Sequence, residues 1–273
     1  MKILAVEFSS AQRSAAVWEA GGAGVSPALL GNAQQAPAAS AGNASIMDGR
    51  ARTPCAPRRA EDCPPYLFSI RHRRITSADP SPLTDRNSQF SCQRSLGLVE
   101  EALAEAQCQR EEIGALAVGL GPGSYTGIRG AIALAQGWQL GRGIHLLGVS
   151  SVECLAAQAQ AEGRRGPVHI IIDAQRSEFY LARYELAQAG WREAEALRLA
   201  PISEIQALAE AGRVLLGPDI ARWFGGGQDM YPAAAMLGRL ACARRDFVPG
   251  ETLEPIYLRE TAFKKAPPPR TIY

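Results

Sequence analysis

A glycine-rich segment that joins a short apolar run to a helix-forming run constrains the fold of this chain most. Residues 115–119 (ALAVG) predict a buried strand, the string LGPGSYTGIRG (120–130) follows, and residues 126–140 predict a helix. Glycine lets the backbone adopt positive φ and come close to another segment or to an anion. In this signature loop (residues 121–129) the candidate site residues, with a potential anion contact, are Gly121, Gly123, Ser124, Thr126, Gly127 and Arg129.

Three physical interpretations of the signature loop compete. A phosphate-binding P-loop needs GxxxxGK[ST], and no lysine follows these glycines, so this interpretation fails. A dinucleotide fingerprint GxGxxG is half met, because its third glycine would fall on Ser124 or on Thr126. A structural turn that packs the helix on the strand is the third, and Ser124 or Thr126 would then cap a helix whose free N–H groups favour an anion.

Strands and helices alternate on both sides of this loop, which predicts an α/β fold with mixed sheets. A chain of 273 residues suits two lobes of about 100–150 residues each, here 1–150 and 151–273. The other predicted elements are strands over 2–8, 13–19, 146–149, 168–173, 178–185 and 213–217, and helices over 92–108, 151–161, 202–211 and 233–244.

Residues 21–90 differ from the rest of the chain in composition. Residues 21–45 are rich in Gly, Ala, Ser, Pro and Asn, and residues 50–74 hold seven arginines. Such a segment buries little apolar surface, so we expect a mostly disordered insertion with a weak strand at 66–70. Its arginines contact RNA or another polyanion, or they are simply solvated.

Composition and spacing argue against several classes of site. A net charge of +2 does not indicate nonspecific nucleic-acid binding by the whole surface. The six cysteines form no CxxC, and the three histidines form neither HxxxH nor HExxH, so we expect reduced thiols and no metal site. The N-terminal apolar stretch ends at Glu7 and no run of 18 apolar residues occurs, so we expect a cytoplasmic protein without a signal peptide or membrane helix.

Several strings, in one order along the chain, resemble the TsaB branch of the glycoprotease-like family within the actin-like ATPase superfamily. Besides the signature loop they are KILAVEFSS (2–10), LLGVSSVECLA (146–156), IIDAQRSEFYLARYE (171–185) and EPIYLRETAFKK (254–265). The resemblance covers residues 1–20 and 91–268, and it implies a two-lobed actin-like (ASKHA, RNase H-like) fold with mixed sheets. Within it, the signature loop is best interpreted as a rigid turn, with any anion contact secondary.

The chain departs from the family pattern at particular positions. Glu7 stands where the superfamily usually has Asp, Gln175 where the family has Arg, and Ser91 where it has His. The family also joins its second strand to the next helix through a short third strand, and residues 21–90 occupy that connection here.

The resemblance implies a subunit without catalytic residues, metal or bound cofactor of its own. In this family TsaD carries the HxxxH metal ligands and the catalytic centre, and TsaB pairs with it. The pair recruits the ATPase TsaE, and the complex uses ATP and moves a threonylcarbamoyl group onto the adenosine beside the tRNA anticodon. Alone, the chain would form a homodimer. The alternative is an ATPase or carbamoyltransferase acting on its own, which would need carboxylates such as Glu7 and Asp173 to hold Mg²⁺.

Two further groups of candidate site residues follow. An apolar seam on the helices 92–108 and 126–140 would face TsaD, or its residues simply cover the sheet; they are Leu96, Val99, Leu103, Ile128, Ile132 and Ala135. If the seam exists, Ile132→Asp weakens TsaD binding and leaves the fold intact. The polar residues Asp173, Arg176 and Glu178 form a salt-bridge network within a hairpin, or they line the cleft between the lobes.

Overall fold

Two mixed five-stranded sheets organise the part of the chain that the structure, a computed structural model, describes: residues 1–20, 66–74 and 87–259, with only the backbone for 66–74 and 87–95. The first sheet has the order β3-β2-β1-β4-β5, with β1 (Lys2–Glu7), β2 (Gln12–Glu19), β3 (Tyr66–Arg74), β4 (Ile113–Gly119) and β5 (His145–Val149). The second has the order β10-β9-β6-β7-β8, with β6 (Gly166–Asp173), β7 (Glu178–Ala187), β8 (Gly190–Pro201), β9 (Leu215–Gly217) and β10 (Gln228–Asp229). The helices are α1 (Asn87–Glu105), α2 (Tyr125–Arg142), α3 (Ser151–Ala161), α4 (Ile202–Glu210) and α5 (Ala234–Cys242).

The first sheet is covered on both faces. Its central strand β1 pairs antiparallel with β2 and parallel with β4. Because side chains alternate along a strand, Leu4 and Val6 point to the face that α1 and α2 cover, whereas Ile3 and Ala5 point to the face that α5 covers. Burial on both faces explains why β1 is apolar almost throughout rather than alternating.

The second sheet is built around the antiparallel pairs β6–β7 and β7–β8. Ile170 and Ile172 of β6 pack with α3, and Ile171 packs on the opposite face with Ile205 of α4. We call the first sheet with α1, α2 and α5 the first lobe, and the second sheet with α3 and α4 the second lobe. Since α5 follows the second sheet in the chain yet packs on the first, the lobe limits 1–150 and 151–273 remain a prediction.

Two strands differ from the sequence expectations. The sequence predicted no strand between 186 and 201, but β8 occupies Gly190–Pro201 at the edge of the second sheet. Most of its side chains are at least partly exposed, and several are charged, so it lacks the apolar alternation that marks a half-buried strand. The short strand β10 was also missed.

The segment predicted to be mostly disordered contains a strand of the first sheet. Its backbone forms β3 over Tyr66–Arg74, four residues longer than the weak strand expected at 66–70, and pairs antiparallel with β2. Pairing with β2 supplies the backbone hydrogen bonds that an isolated apolar-poor segment lacks. Helix α1 begins at Asn87 rather than at 92. The rest of that segment, 21–65 and 75–86, and the tail 260–273 lie outside the described residues.

No helix within the described ranges is both long enough and apolar enough to cross a bilayer.

Candidate functional site

The signature loop lies directly against the backbone that follows β1. The Ser124 N–H donates to the Ser9 carbonyl oxygen at 2.6 Å. A Cβ added at Gly123 would lie 2.1 Å from that same oxygen, and one at Gly127 would lie 2.0 Å from the Phe8 carbonyl oxygen. Such distances are far inside van der Waals contact, so only glycine permits this approach. The geometry fits the rigid turn expected from the sequence.

The loop passes into α2 through a capped first turn. Ser124, one of the two expected capping residues, is the N-cap, and its Oγ accepts a hydrogen bond from the Gly127 N–H at 3.3 Å. The Arg129 guanidinium donates to the Tyr125 hydroxyl at 2.9 Å and lies 5.2 Å above the Tyr125 ring. Thr126, the other expected cap, instead lines a cleft beside the loop.

Glu7 is fully buried behind the loop. Its Oε1 accepts from the Ser9 N–H at 2.8 Å and its Oε2 from the Ser151 hydroxyl at 3.0 Å. A Cβ at Gly119 would lie 2.0 Å from Oε2, so the carboxylate occupies space that a glycine leaves free. Burial raises the pKa of Glu7, and the hydrogen bonds from Ser9 and Ser151 oppose that rise. Glu7 is not among the residues that line the cleft beside the loop.

A cleft of about 760 Å³ separates the loop from the second lobe, a volume that suits a small molecule. Hydroxyl groups and charges of both signs line it. From the first lobe come Ser9, Ser10, Arg13, Ser124 and Thr126, and from the second come Asp173, Gln175, Tyr180, Asp219 and Arg222. Among the side chains that the structure describes, no three His, Cys, Asp or Glu are grouped to hold a metal ion.

The predicted polar cluster is divided among different partners. Asp173 lines the cleft, lies 3.5 Å from the Arg222 guanidinium and accepts a hydrogen bond from the Gln175 N–H. Glu178 pairs with Arg259 instead. Arg176 is exposed and forms no ion pair within the described ranges. Of the two alternatives for these residues, Asp173 fits the position in the cleft. Arg176 fits neither the salt-bridge network nor the cleft.

The predicted apolar seam is mostly core. Leu96 is 43% exposed, but the other five members are at most 6% exposed and pack against the first sheet: Val99, Leu103, Ile128, Ile132 and Ala135. A helix on a sheet has one apolar stripe, and the sheet takes it. The expectation that these five residues face a partner is therefore wrong. The expectation for Ile132→Asp changes with it, since a carboxylate there enters the core and destabilises the fold.

The opposite face of α2 went unnoticed in the sequence. Gly130, Gly137 and Gly141 have no atom within 4 Å of an added Cβ, Ala133 is exposed beside them, and Leu140 is 91% exposed. We call these five residues the α2 outer face. A search for large apolar residues overlooks such a face, whereas small residues at three- and four-residue spacing would have indicated it.

Comparison with known proteins concerns the chain as a whole. A family model described as "TsaD: tRNA N6-adenosine threonylcarbamoyltransferase" matches residues 87–233. The chain is 34% identical over 195 residues to the tRNA threonylcarbamoyladenosine biosynthesis protein TsaB of Escherichia coli (strain K12), covering 64% of this chain and 84% of the relative. The chain belongs to the TsaB family. The TsaB protein of Haemophilus influenzae is 32% identical over 90 residues, 33% of this chain and 38% of that relative.

A solved structure shares the fold of this TsaB-family chain. YeaZ from Pseudomonas aeruginosa superposes with a TM-score of 0.61 over 94% of this chain and 99% of that one, at 23% identity. The resemblance to the TsaB branch and the two-lobed actin-like α/β fold with mixed sheets, both inferred from the sequence, are confirmed.

Proposed function

We propose that this chain is the scaffold subunit for N6-threonylcarbamoyladenosine formation in tRNA, and that it activates a TsaD-type catalytic subunit without carrying out the transfer. The family's curated members named for this biosynthesis support the pathway. The single observation that carries the scaffold role is Glu7: the carboxylate at the end of β1 is buried and holds Ser9 and Ser151 together. A carboxylate used in this way serves the fold rather than a magnesium ion in the cleft. Such a subunit works in the cytoplasm.

The surface that we assign to the TsaD-type partner is the α2 outer face together with Leu96 of α1. Both helices cover the same side of the first sheet, so their exposed faces point away from the core on one side. Three glycines with open space let a second helix approach closely, because no side chain holds the two backbones apart. The exposed Leu140 and Leu96 supply apolar contact at its margin. Without the partner, a second copy of this chain occupies the same face.

Substitutions on this face test the assignment. Leu140→Glu and Gly137→Leu should each raise the Kd for the TsaD-type subunit about tenfold or more, a change of about 1.4 kcal/mol in binding free energy. Co-elution of the two subunits should weaken accordingly. Gly137→Leu improves helix propensity, so the unfolding midpoint of the isolated chain should not fall and should rise slightly. Val214→Glu is the matched control, since Val214 is 37% exposed on the second lobe. Full binding by both α2 variants would contradict the surface.

In this proposal the TsaE-type ATPase and tRNA bind to the complex of the two subunits, and the complex uses ATP. Reconstitution tests this role against the alternative of an independent ATPase or carbamoyltransferase. The purified chain with tRNA, ATP and threonylcarbamoyl-adenylate should modify no tRNA until a TsaD-type subunit is added. Glu7→Gln should still support modification in the complex, because it preserves the shape of the buried group. Turnover by the chain alone would overturn the scaffold role.

A further inference from the structure

The segment that follows α5 runs from the first lobe to the second, and we call its residues 249–259 the strap. Its first anchor is α2. The Gln136 side-chain amide donates to the Gly250 carbonyl oxygen at 2.8 Å, and the Gly250 N–H donates to Gln139 Oε1 at 2.7 Å. Leu253 is 5% exposed and packs in the core of the first lobe. The beginning of the strap is therefore fixed to the same helix that presents the α2 outer face.

The second anchor is the signature loop. The Ile256 N–H donates to the Leu120 carbonyl oxygen at 2.9 Å. The Tyr257 ring stacks on the Tyr125 ring, with centroids 5.4 Å apart and planes inclined by 30°. Offset stacking of this kind adds to the stabilisation from burial alone. The middle of the strap thus follows the first turn of α2, and Tyr257 lines the cleft there.

The third anchor lies in the second lobe, across the cleft. The Arg259 guanidinium pairs with the Glu178 carboxylate and donates to the Gln175 carbonyl oxygen at 3.2 Å. A guanidinium that bonds a carboxylate and a carbonyl at once fixes both groups relative to each other. The end of the strap therefore holds the turn between β6 and β7.

That turn depends on its neighbours for its conformation. Gln175, Arg176 and Ser177 have φ of 63°, 57° and 62°. Left-handed conformations of non-glycine residues are unfavourable by themselves and persist when surrounding contacts impose them. Arg259 supplies one such contact at Gln175, and the Ile202 N–H supplies another by donating to the Ser177 carbonyl oxygen at 3.1 Å.

We propose that the strap couples α2 to the turn at residues 175–177, so that a change at α2 alters the second-lobe wall of the cleft. The strap touches α2 at Gly250, the signature loop at Tyr257 and the turn at Arg259, and the turn contributes Gln175 to the cleft. Three anchors within eleven residues fix the beginning, the middle and the end of the strap to three different parts of the molecule. The coupling is a property of the isolated chain and does not depend on which partner binds α2.

Amide hydrogen exchange of the full chain tests the coupling. The reporters are the amides of Ala174 and Glu178, which donate to the carbonyl oxygens of Glu178 and Gln175 within the turn. Arg259→Ala should speed their exchange about tenfold, since a hydrogen-bonded charge is lost. The double variant Gln136→Ala/Gln139→Ala, which changes only the other lobe, should speed the same two amides in the same direction.

The controls separate coupling from other causes. Arg198→Ala removes a comparable ion pair, with Glu204, that does not touch the strap, so the reporters should keep their rates. The Ile170 and Ile171 amides of central strand β6 should stay protected in every variant. An effect of Arg259→Ala without any effect of the α2 double variant would overturn the coupling. So would unchanged reporters in both variants, or a uniform rise that includes β6.

Discussion

The signature loop and the turn at residues 175–177 both line the cleft, and both use backbone conformations that L residues rarely adopt. In the loop, glycine occupies these positions, with φ of 84° at Gly121 and 149° at Gly123. In the turn, Gln175, Arg176 and Ser177 all have φ near 60° although none is glycine. Backbone with positive φ therefore occurs at glycine in the loop and at residues other than glycine in the turn.

The difference lies in what surrounds each segment. A Cβ at Gly123 would meet the Ser9 carbonyl oxygen at 2.1 Å, so packing excludes every other residue. The side chains of the turn are exposed, so they have room, and their only cost is the local backbone conformation. The loop is thus fixed by steric exclusion, whereas the turn is held by polar contacts that substitution can remove.

The largest expected effect separates two glycines of α2. Gly127→Ala places a methyl group 2.0 Å from the Phe8 carbonyl oxygen, where backbone would have to move. We expect the free energy of unfolding in urea to fall by about 3 kcal/mol or more. Gly130→Ala is the control, since nothing lies within 4 Å; its helix propensity should raise stability by about 0.5–1 kcal/mol. Equal stability of the two variants would contradict steric exclusion.

A second effect concerns the carboxylate behind the loop, whose burial contrasts with the exposed turn. The folded-state pKa of Glu7 is raised above its ordinary value of 4.5 by burial. Well below pH 4.5 the Glu7 carboxyl is protonated in both the folded and the unfolded state. As pH rises above 4.5 and through the folded-state pKa, the wild type loses stability, because the unfolded state releases the proton more easily. Glu7→Gln lacks this titration, so its stability relative to the wild type should increase with pH above 4.5.

Urea unfolding of both proteins between acidic and neutral pH measures this difference. Glu204→Gln is a control of opposite sign, because the hydrogen bond from Arg198 lowers the pKa of Glu204. That variant should lose stability relative to the wild type as pH rises. A pH-independent difference for Glu7→Gln would show that the carboxyl titrates alike in both states.

The smallest expected effect lies in the turn. Arg176→Gly removes a left-handed penalty of about 1–2 kcal/mol, and the greater entropy of unfolded glycine cancels about 0.5–1 kcal/mol of that gain. Unfolding free energy should therefore rise by about 0.5 kcal/mol. Arg192→Gly, at an exposed position of β8 with ordinary φ, should instead lower it by a similar amount. Destabilisation by Arg176→Gly would mean that its side chain holds the turn.

The local sequence pattern was sufficient to predict elements whose buried residues follow one another in the sequence. The apolar run of β1 and the strand–loop–helix order around the signature loop predicted elements that the structure contains, because both depend on neighbours in the sequence. Edge strand β8 escaped notice because its charged, exposed side chains carry no apolar alternation. The partner seam was misplaced because an apolar stripe has the same spacing whether a sheet or another protein covers it.

By itself, the sequence determined the family, the alternation of strands and helices, and the positions where glycine interrupts them. It did not distinguish Gly127 from Gly130, which lie three residues apart in one helix. Only the tertiary structure decided that the first touches the Phe8 carbonyl oxygen and the second faces open space. Steric exclusion depends on atoms more than a hundred residues away in the chain, and no local pattern records them.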